Sequence, residues 1–132
     1  MTTARPFLMF QEGRAHAALD LYFATFPDSH MVRAEYYGQG EPGPAGSIKV
    51  AVFTLCGREF MCSDSPIKHA FTFTPSSSTF VEFDSAAELE RVFGILSNGG
   101  EILMPLNDYG FSQRFGWVND RFGVSWQLNL AA

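Results

Sequence analysis

The order of elements in this chain is given twice, and that repetition limits its fold more than any single motif. The apolar run Pro6-Phe7-Leu8-Met9-Phe10, closed by Gln11-Glu12-Gly13, reads as a buried strand. Ala15, Ala18, Leu19, Tyr22, Phe23 and Phe26 then recur on one helical face, which Pro27 closes. Three extended stretches follow: Met31 to Tyr37, Ile48 to Leu55 and Arg58 to Cys62. A loop rich in Gly and Pro, Gly38 to Gly46, separates the first two. The order then restarts. Thr79-Phe80-Val81-Glu82-Phe83 is a strand, and Ser85-Ala86-Ala87-Glu88 has the form of a capping box. Leu89, Val92, Phe93 and Leu96 give a helical face that Asn98-Gly99-Gly100 stops, and Ile102 to Leu106 is again extended.

The offsets agree. Phe7 and Thr79 are 72 apart, Ala15 and Ala86 are 71 apart, and Met31 and Ile102 are 71 apart. A repeated order at a constant offset signals internal duplication. The expected fold is therefore α+β: one domain built of two paired βαβββ modules, about residues 5–63 and 78–130. Neither half has much core alone, so curved mixed sheets are expected around a cleft, with the helices outside.

The run from Met104 to Leu128 is the densest in aromatics and reads as two strands around the turn Asn119-Asp120-Arg121-Phe122-Gly123. Phe111, Gln113, Phe115 and Trp117 are expected on one face of the first strand. In the second, Trp126, Leu128 and Leu130 share one face, and Ser125, Gln127 and Asn129 share the other. One apolar face and one neutral polar face suit a sheet backed by helices and fronted by a lined cavity.

Composition narrows the function. With 46% hydrophobic and 17% charged residues, 14 Phe among 132 residues, the chain is not disordered. Its net charge of −5, with nine scattered Lys and Arg, argues against a nucleic-acid partner. No apolar stretch of about 18 residues is present to span a bilayer, so no membrane partner is expected. The N-terminus lacks a basic-then-apolar signal region, and a cytoplasmic location is expected. Cys56 and Cys62 bracket a turn and read as buried thiols rather than a pair.

Three stretches carry a resemblance: Phe7-Leu8-Met9-Phe10-Gln11, His69-Ala70-Phe71-Thr72-Phe73-Thr74-Pro75, and Met104 to Leu128. With the βαβββ duplication they resemble the PhnB-like branch of the vicinal oxygen chelate superfamily, which includes glyoxalase I, extradiol dioxygenases and bleomycin and fosfomycin resistance proteins. The resemblance covers essentially the full length and implies a homodimer. Members of this branch often carry the label 3-demethylubiquinone 3-methyltransferase. The residues give that label no support. A class I methyltransferase needs a parallel sheet and a Gly-rich turn after its first strand, and here Gln11-Glu12-Gly13-Arg14 stands there.

Metal-using members of the superfamily place a His or Glu on each of four strands. The resemblance carries these positions to Pro6 or Phe7, to Val52, to Ser78 and to Gln127. PhnB-like sequences usually show His-Ala-Glu-Phe where this chain has Val50-Ala51-Val52-Phe53. One neutral amide does not hold a transition metal, so no tightly bound metal and no cofactor are expected. His16 reads as a helix-surface residue, His30 as solvated and His69 as a loop pin.

The expected cleft includes Val52, Ser78, Phe80, Trp117 and Gln127, mostly apolar with few polar anchors. Glu82 shares the face of Ser78 and Phe80 and is the general-base candidate; the structural alternative is a rim position paired with an Arg. Asp108 and Arg114 either form an ion pair that fixes the hairpin or orient a ligand. Phe115 and Trp117 are core or cleft wall. Two functions remain open: a metal-independent module binding a small apolar or aromatic molecule, and an enzyme of unknown substrate.

Overall fold

Strand alternation and one helix per half determine the architecture of each half. The computed structural model describes all of residues 1–132, which divide into the units Met1–Ala70 and Phe71–Ala132. The first holds β1 (Phe7–Phe10), α1 (Ala15–Thr25), β2 (His30–Tyr36), β3 (Ile48–Leu55) and β4 (Arg58–Asp64). Its sheet runs β1-β4-β3-β2, with β1 and β4 parallel and the other pairs antiparallel. The second holds β5 (Thr79–Phe83), α2 (Ala86–Ser97), β6 (Glu101–Asn107), β7 (Phe115–Asn119) and β8 (Ser125–Leu130). Its sheet repeats the plan as β5-β8-β7-β6, with β5 and β8 parallel. The α+β class and the doubled βαβββ order are as the sequence led us to expect.

In the first unit α1 buries Ala15, Ala18, Leu19 and Tyr22. The sheet face that meets it carries Phe10, Ala51, Phe53, Phe60 and Cys62, all buried. Phe53 packs edge-on to Phe23 of the helix and stacks on Phe60 at 5.7 Å. The helix has no side-chain cap of its own. Asp64 supplies one from β4: Oδ1 accepts from Ala15 N and Oδ2 from Ile48 N, each at 2.9 Å. This buried carboxylate, 1% exposed, joins the start of α1 to the start of β3. The expected strand ended at Cys62 and so missed it; parallel pairing of Phe10 with Asp64 extends β4 two residues further.

In the second unit Leu89, Val92 and Leu96 of α2 are buried, as are Val118, Trp126 and Leu128 of the sheet. A Cβ on Gly116 would lie 2.6 Å from the Phe93 ring, so close helix–strand approach requires glycine there. Asp120 is buried in the β7–β8 turn, where it accepts from Phe122 N, Val124 N and Trp126 Nε1 at 2.8, 3.2 and 2.9 Å.

Four expectations change. β1 is an outer strand of its sheet, with Phe7 52% exposed. The C-terminal hairpin begins at Phe115, because side chains take the N–H groups of Asp108, Gly110 and Arg114 in the stretch before it. There Asp108 Oδ1 accepts from Gly110 N, and Ser112 Oγ bonds both Arg114 N and Arg114 O. Ser85 caps Glu88 N at 3.2 Å, but the Glu88 carboxylate turns to Arg91 and leaves the box half made. Cys62 is buried as expected, whereas Cys56 is exposed at the β3–β4 turn.

Asp64→Ala leaves two buried N–H groups without an acceptor and is expected to lower the unfolding free energy by about 3 kcal/mol. Urea denaturation measures it, and a loss under about 1 kcal/mol contradicts the bridging role.

Candidate functional site

The face of the second sheet that turns away from Trp126 and Leu128 carries the residues of interest. Cross-strand register sets them in rows. Phe80 lies opposite Gln127, Gln127 opposite Trp117, and Trp117 opposite Met104. In the next row Glu82 lies opposite Asn129 and Asn129 opposite Phe115. Ser78, just before β5, accepts from Gln127 Nε2 at 2.7 Å. Trp117 Nε1 donates to Ser125 Oγ at 2.8 Å. The structure thus brings Ser78, Phe80, Trp117 and Gln127 together on one surface with Glu82 beside them. Glu82 is exposed, and its neighbour is the Asn129 amide, Nδ2 to carboxylate 3.4 Å, not an arginine. Asn129 Oδ1 is buried without a donor.

Four aromatic rings gather at one end of this face. Phe115 is buried and takes Phe111 edge-on at 5.0 Å, Tyr109 edge-on at 6.1 Å and Phe80 tilted at 6.3 Å. The outer three remain open: Phe80 is 52%, Tyr109 37% and Phe111 66% exposed. The loop that presents Tyr109 and Phe111 is anchored by Tyr109 Oη donating to Pro105 O at 2.6 Å. Arg114 pairs with Glu90 of α2 at 2.8 Å, so of the two readings for Asp108 and Arg114 the mutual ion pair is not formed. Asp108 is occupied by the turn it caps. Sequence reasoning had placed Phe111 and Phe115 on one strand face; the loop brings them together instead.

Val52 belongs to the first unit. Phe7 and Val52 both lie opposite Met61, and Val52 lies opposite Arg33, so Phe7, Met61 and Val52 form an apolar row ending at Arg33. A groove of about 310 Å³ lies over this face, lined by Arg33, Glu35, Val50, Val52 and Met61 among others. That volume is at the small end for a ligand site.

The remaining reactive groups are structural. His69 Nε2 lies 3.0 Å from Ser65 Oγ while its backbone N donates to Gln11 Oε1, so it pins its loop. His16 sits beside Asp20 on the helix surface, and His30 Nδ1 meets Thr54 Oγ1 at 3.2 Å. Burial, and then the nearby Asp64, push the Cys62 thiol up to about 12. Partial burial and then Asp28 raise that of Cys56. Neither is a ready nucleophile.

The superfamily's divalent-cation site does not fit these residues. In the first unit the two expected positions hold the hydrocarbon side chains of Phe7 and Val52. In the second, Ser78 and Gln127 are bonded to each other. Nowhere do three His, Cys, Asp or Glu side chains form a group that could hold a metal ion.

Comparison with known proteins follows this geometry. Residues 2–129 match the family model described as 3-demethylubiquinone-9 3-methyltransferase, and the chain belongs to that family, as a PhnB-like member of the vicinal oxygen chelate superfamily. It is similar to the PhnB protein from Bacillus cereus, 46% identical, over 98% of this chain and 100% of that one, with a TM-score of 0.94. Protein PA1353 from Pseudomonas aeruginosa is 29% identical over 98% of both chains, with a TM-score of 0.82. Protein YjdN from Escherichia coli is 27% identical over 82% of this chain and 73% of its own length. The fosfomycin resistance protein FosX from Listeria monocytogenes shares the fold alone, at 10% identity and a TM-score of 0.67 over 99% and 93% of the two chains. The family description names a methyltransferase; the two mixed sheets seen here, each with a single parallel pair, are not the parallel sheet of a class I enzyme. No helix is long and apolar enough to cross a membrane.

Proposed function

We propose that this chain binds a small apolar or aromatic molecule on the open face of its second sheet, without a tightly held metal ion. The four-ring group of Phe80, Tyr109, Phe111 and Phe115 carries the reading. Three large rings held in water lose the contacts that a bound apolar body would return, and an exposed apolar patch bounded by polar groups favours an interaction site. Gln127 sits in the adjoining row with its amide nitrogen turned to Ser78, which leaves Oε1 to accept from a ligand. Trp117 walls the row. An apolar surface with few fixed polar groups is the usual make-up of a small-molecule site. The Val52 groove of the first unit offers a separate apolar floor of the same kind.

An enzymatic reading would put the base at Glu82. Its exposure and its single amide neighbour favour binding over proton transfer, since a general base is best tuned by burial. The alternative nonetheless names the substitution that would reveal it, because an enzyme would lose turnover in Glu82→Gln. We also propose that two copies pair. Val32 and Tyr36 on β2 and Ile102 on β6 are 42%, 48% and 50% exposed on outer strands of their sheets, where strand edges accept partners. Sedimentation velocity is expected to give a mass near twice 14.7 kDa; a monomer throughout the micromolar range contradicts it.

Titration with 2-naphthalenemethanol, followed by quenching of tryptophan fluorescence, tests the site. Saturable binding is expected, weakened about tenfold in Phe111→Ala, the loss of one aromatic contact. Equal affinity in that variant, or no saturation up to solubility, overturns the proposal.

A further inference from the structure

The polar groups around the aromatic rings are unevenly spent. The donors are taken within the protein: Trp117 Nε1 by Ser125, Gln127 Nε2 by Ser78, Asn129 Nδ2 by Glu82. Acceptors are left over. Gln127 Oε1 has no protein donor, Asn129 Oδ1 is buried without one, and the exposed Glu82 carboxylate meets nothing cationic. The arginine of the neighbouring loop, Arg114, is held by Glu90 at 2.8 Å. The contact of Asn129 with Glu82 also settles which end of that amide is which, since an amide oxygen would not face a carboxylate. Glu82 and Phe80 share a strand face, two residues apart, and Phe115 completes the Glu82 row. A carboxylate beside aromatic rings, with the Gln127 carbonyl unmet in the adjoining row and no resident cation, is complementary to a positive charge attached to an apolar body.

We infer that the ligand of this face is an organic cation: an aromatic or apolar body bearing an ammonium or similar N–H donor, with the charge at Glu82 and the body against Phe80, Phe111 and Phe115. This rests on the binding proposed above and names the ligand's charge. Ring faces attract a cation through their quadrupole, and the exposed carboxylate adds a modest, salt-screened attraction. The net charge of −5 favours encounter.

Three probes of one shape test it: 2-naphthylmethylamine, 2-naphthalenemethanol and 2-naphthoate, titrated at pH 7 in low salt. The amine is expected to bind roughly fivefold more tightly than the alcohol, the sum of an exposed cation–π contact and an exposed ion pair, with the naphthoate weakest. In Glu82→Gln the amine-to-alcohol ratio should fall to about twofold, the share of the cation–π contact alone. High salt should shrink it in the unaltered protein. Alcohol and amine binding alike, or a ratio undiminished in Glu82→Gln, overturns the cation assignment while leaving the aromatic site standing. Saturation by none of the three overturns both. Phe111→Ala guards against a surface effect, since it should weaken amine and alcohol together and leave their ratio nearly intact.

Discussion

Each four-stranded sheet can bury only one face under its own helix, because strand side chains alternate and the unit has one helix to offer. In the second unit that helix takes Leu89, Val92 and Leu96 to the side where Val118, Trp126 and Leu128 are buried. The opposite side must be made of something else. Here it is a mixture of rings and neutral amides, with Gln127 and Trp117 at its centre and the Phe115 group at its end. The positions that the superfamily resemblance assigns to metal ligands hold Pro6 or Phe7, Val52, Ser78 and Gln127 in this chain.

Two buried carboxylates give each unit its own fixed frame. Asp64 ties α1 to β3 in the first unit, and Asp120 ties the β7–β8 turn to Trp126 in the second. Both are organised by backbone N–H groups, which stabilise a buried charge through short, directed bonds. Neither carboxylate bonds a group of the open face, where Tyr109 anchors its own loop and Phe115 is buried under the outer rings. Glu82 is exposed and Phe111 meets the core only at the rim of Phe115, so both can be altered at small cost to the fold.

Much of the fold was legible because its signals are local and repeated. The constant offset of 71 to 72 residues placed both halves, and Ile48 to Leu55 was read with its observed bounds. Alternation put Ser78 with Phe80 and Ser125 with Gln127, and the superfamily resemblance joined the two strand faces in one site; Trp117 could have been core or wall. What was not legible came from side chains that replace backbone pairing. Asp108 and Ser112 hold 108–114 as a loop, so the Phe111 ring reaches Phe115 from off the strand. Arg114 chose Glu90, a helix residue distant in sequence, over the nearby Asp108. Asp64 gave no sign of its role, since a capping residue 49 positions from the helix it caps leaves no spacing to read. The exposure of Cys56 depends likewise on a tight turn, in which it adopts φ 52°.

The central claim is that this member of the family holds its ligand with rings and amides rather than through a metal. Elemental mass spectrometry on untagged protein, after dialysis against excess nickel, zinc, manganese and iron and then against buffer, tests it most directly. Under about a tenth of an equivalent is expected to stay bound per chain, since no thiolate, imidazole or paired carboxylate is set to hold it. Retention near one equivalent per chain or per pair of chains would contradict it and return the protein to the metal-dependent enzymes of its superfamily.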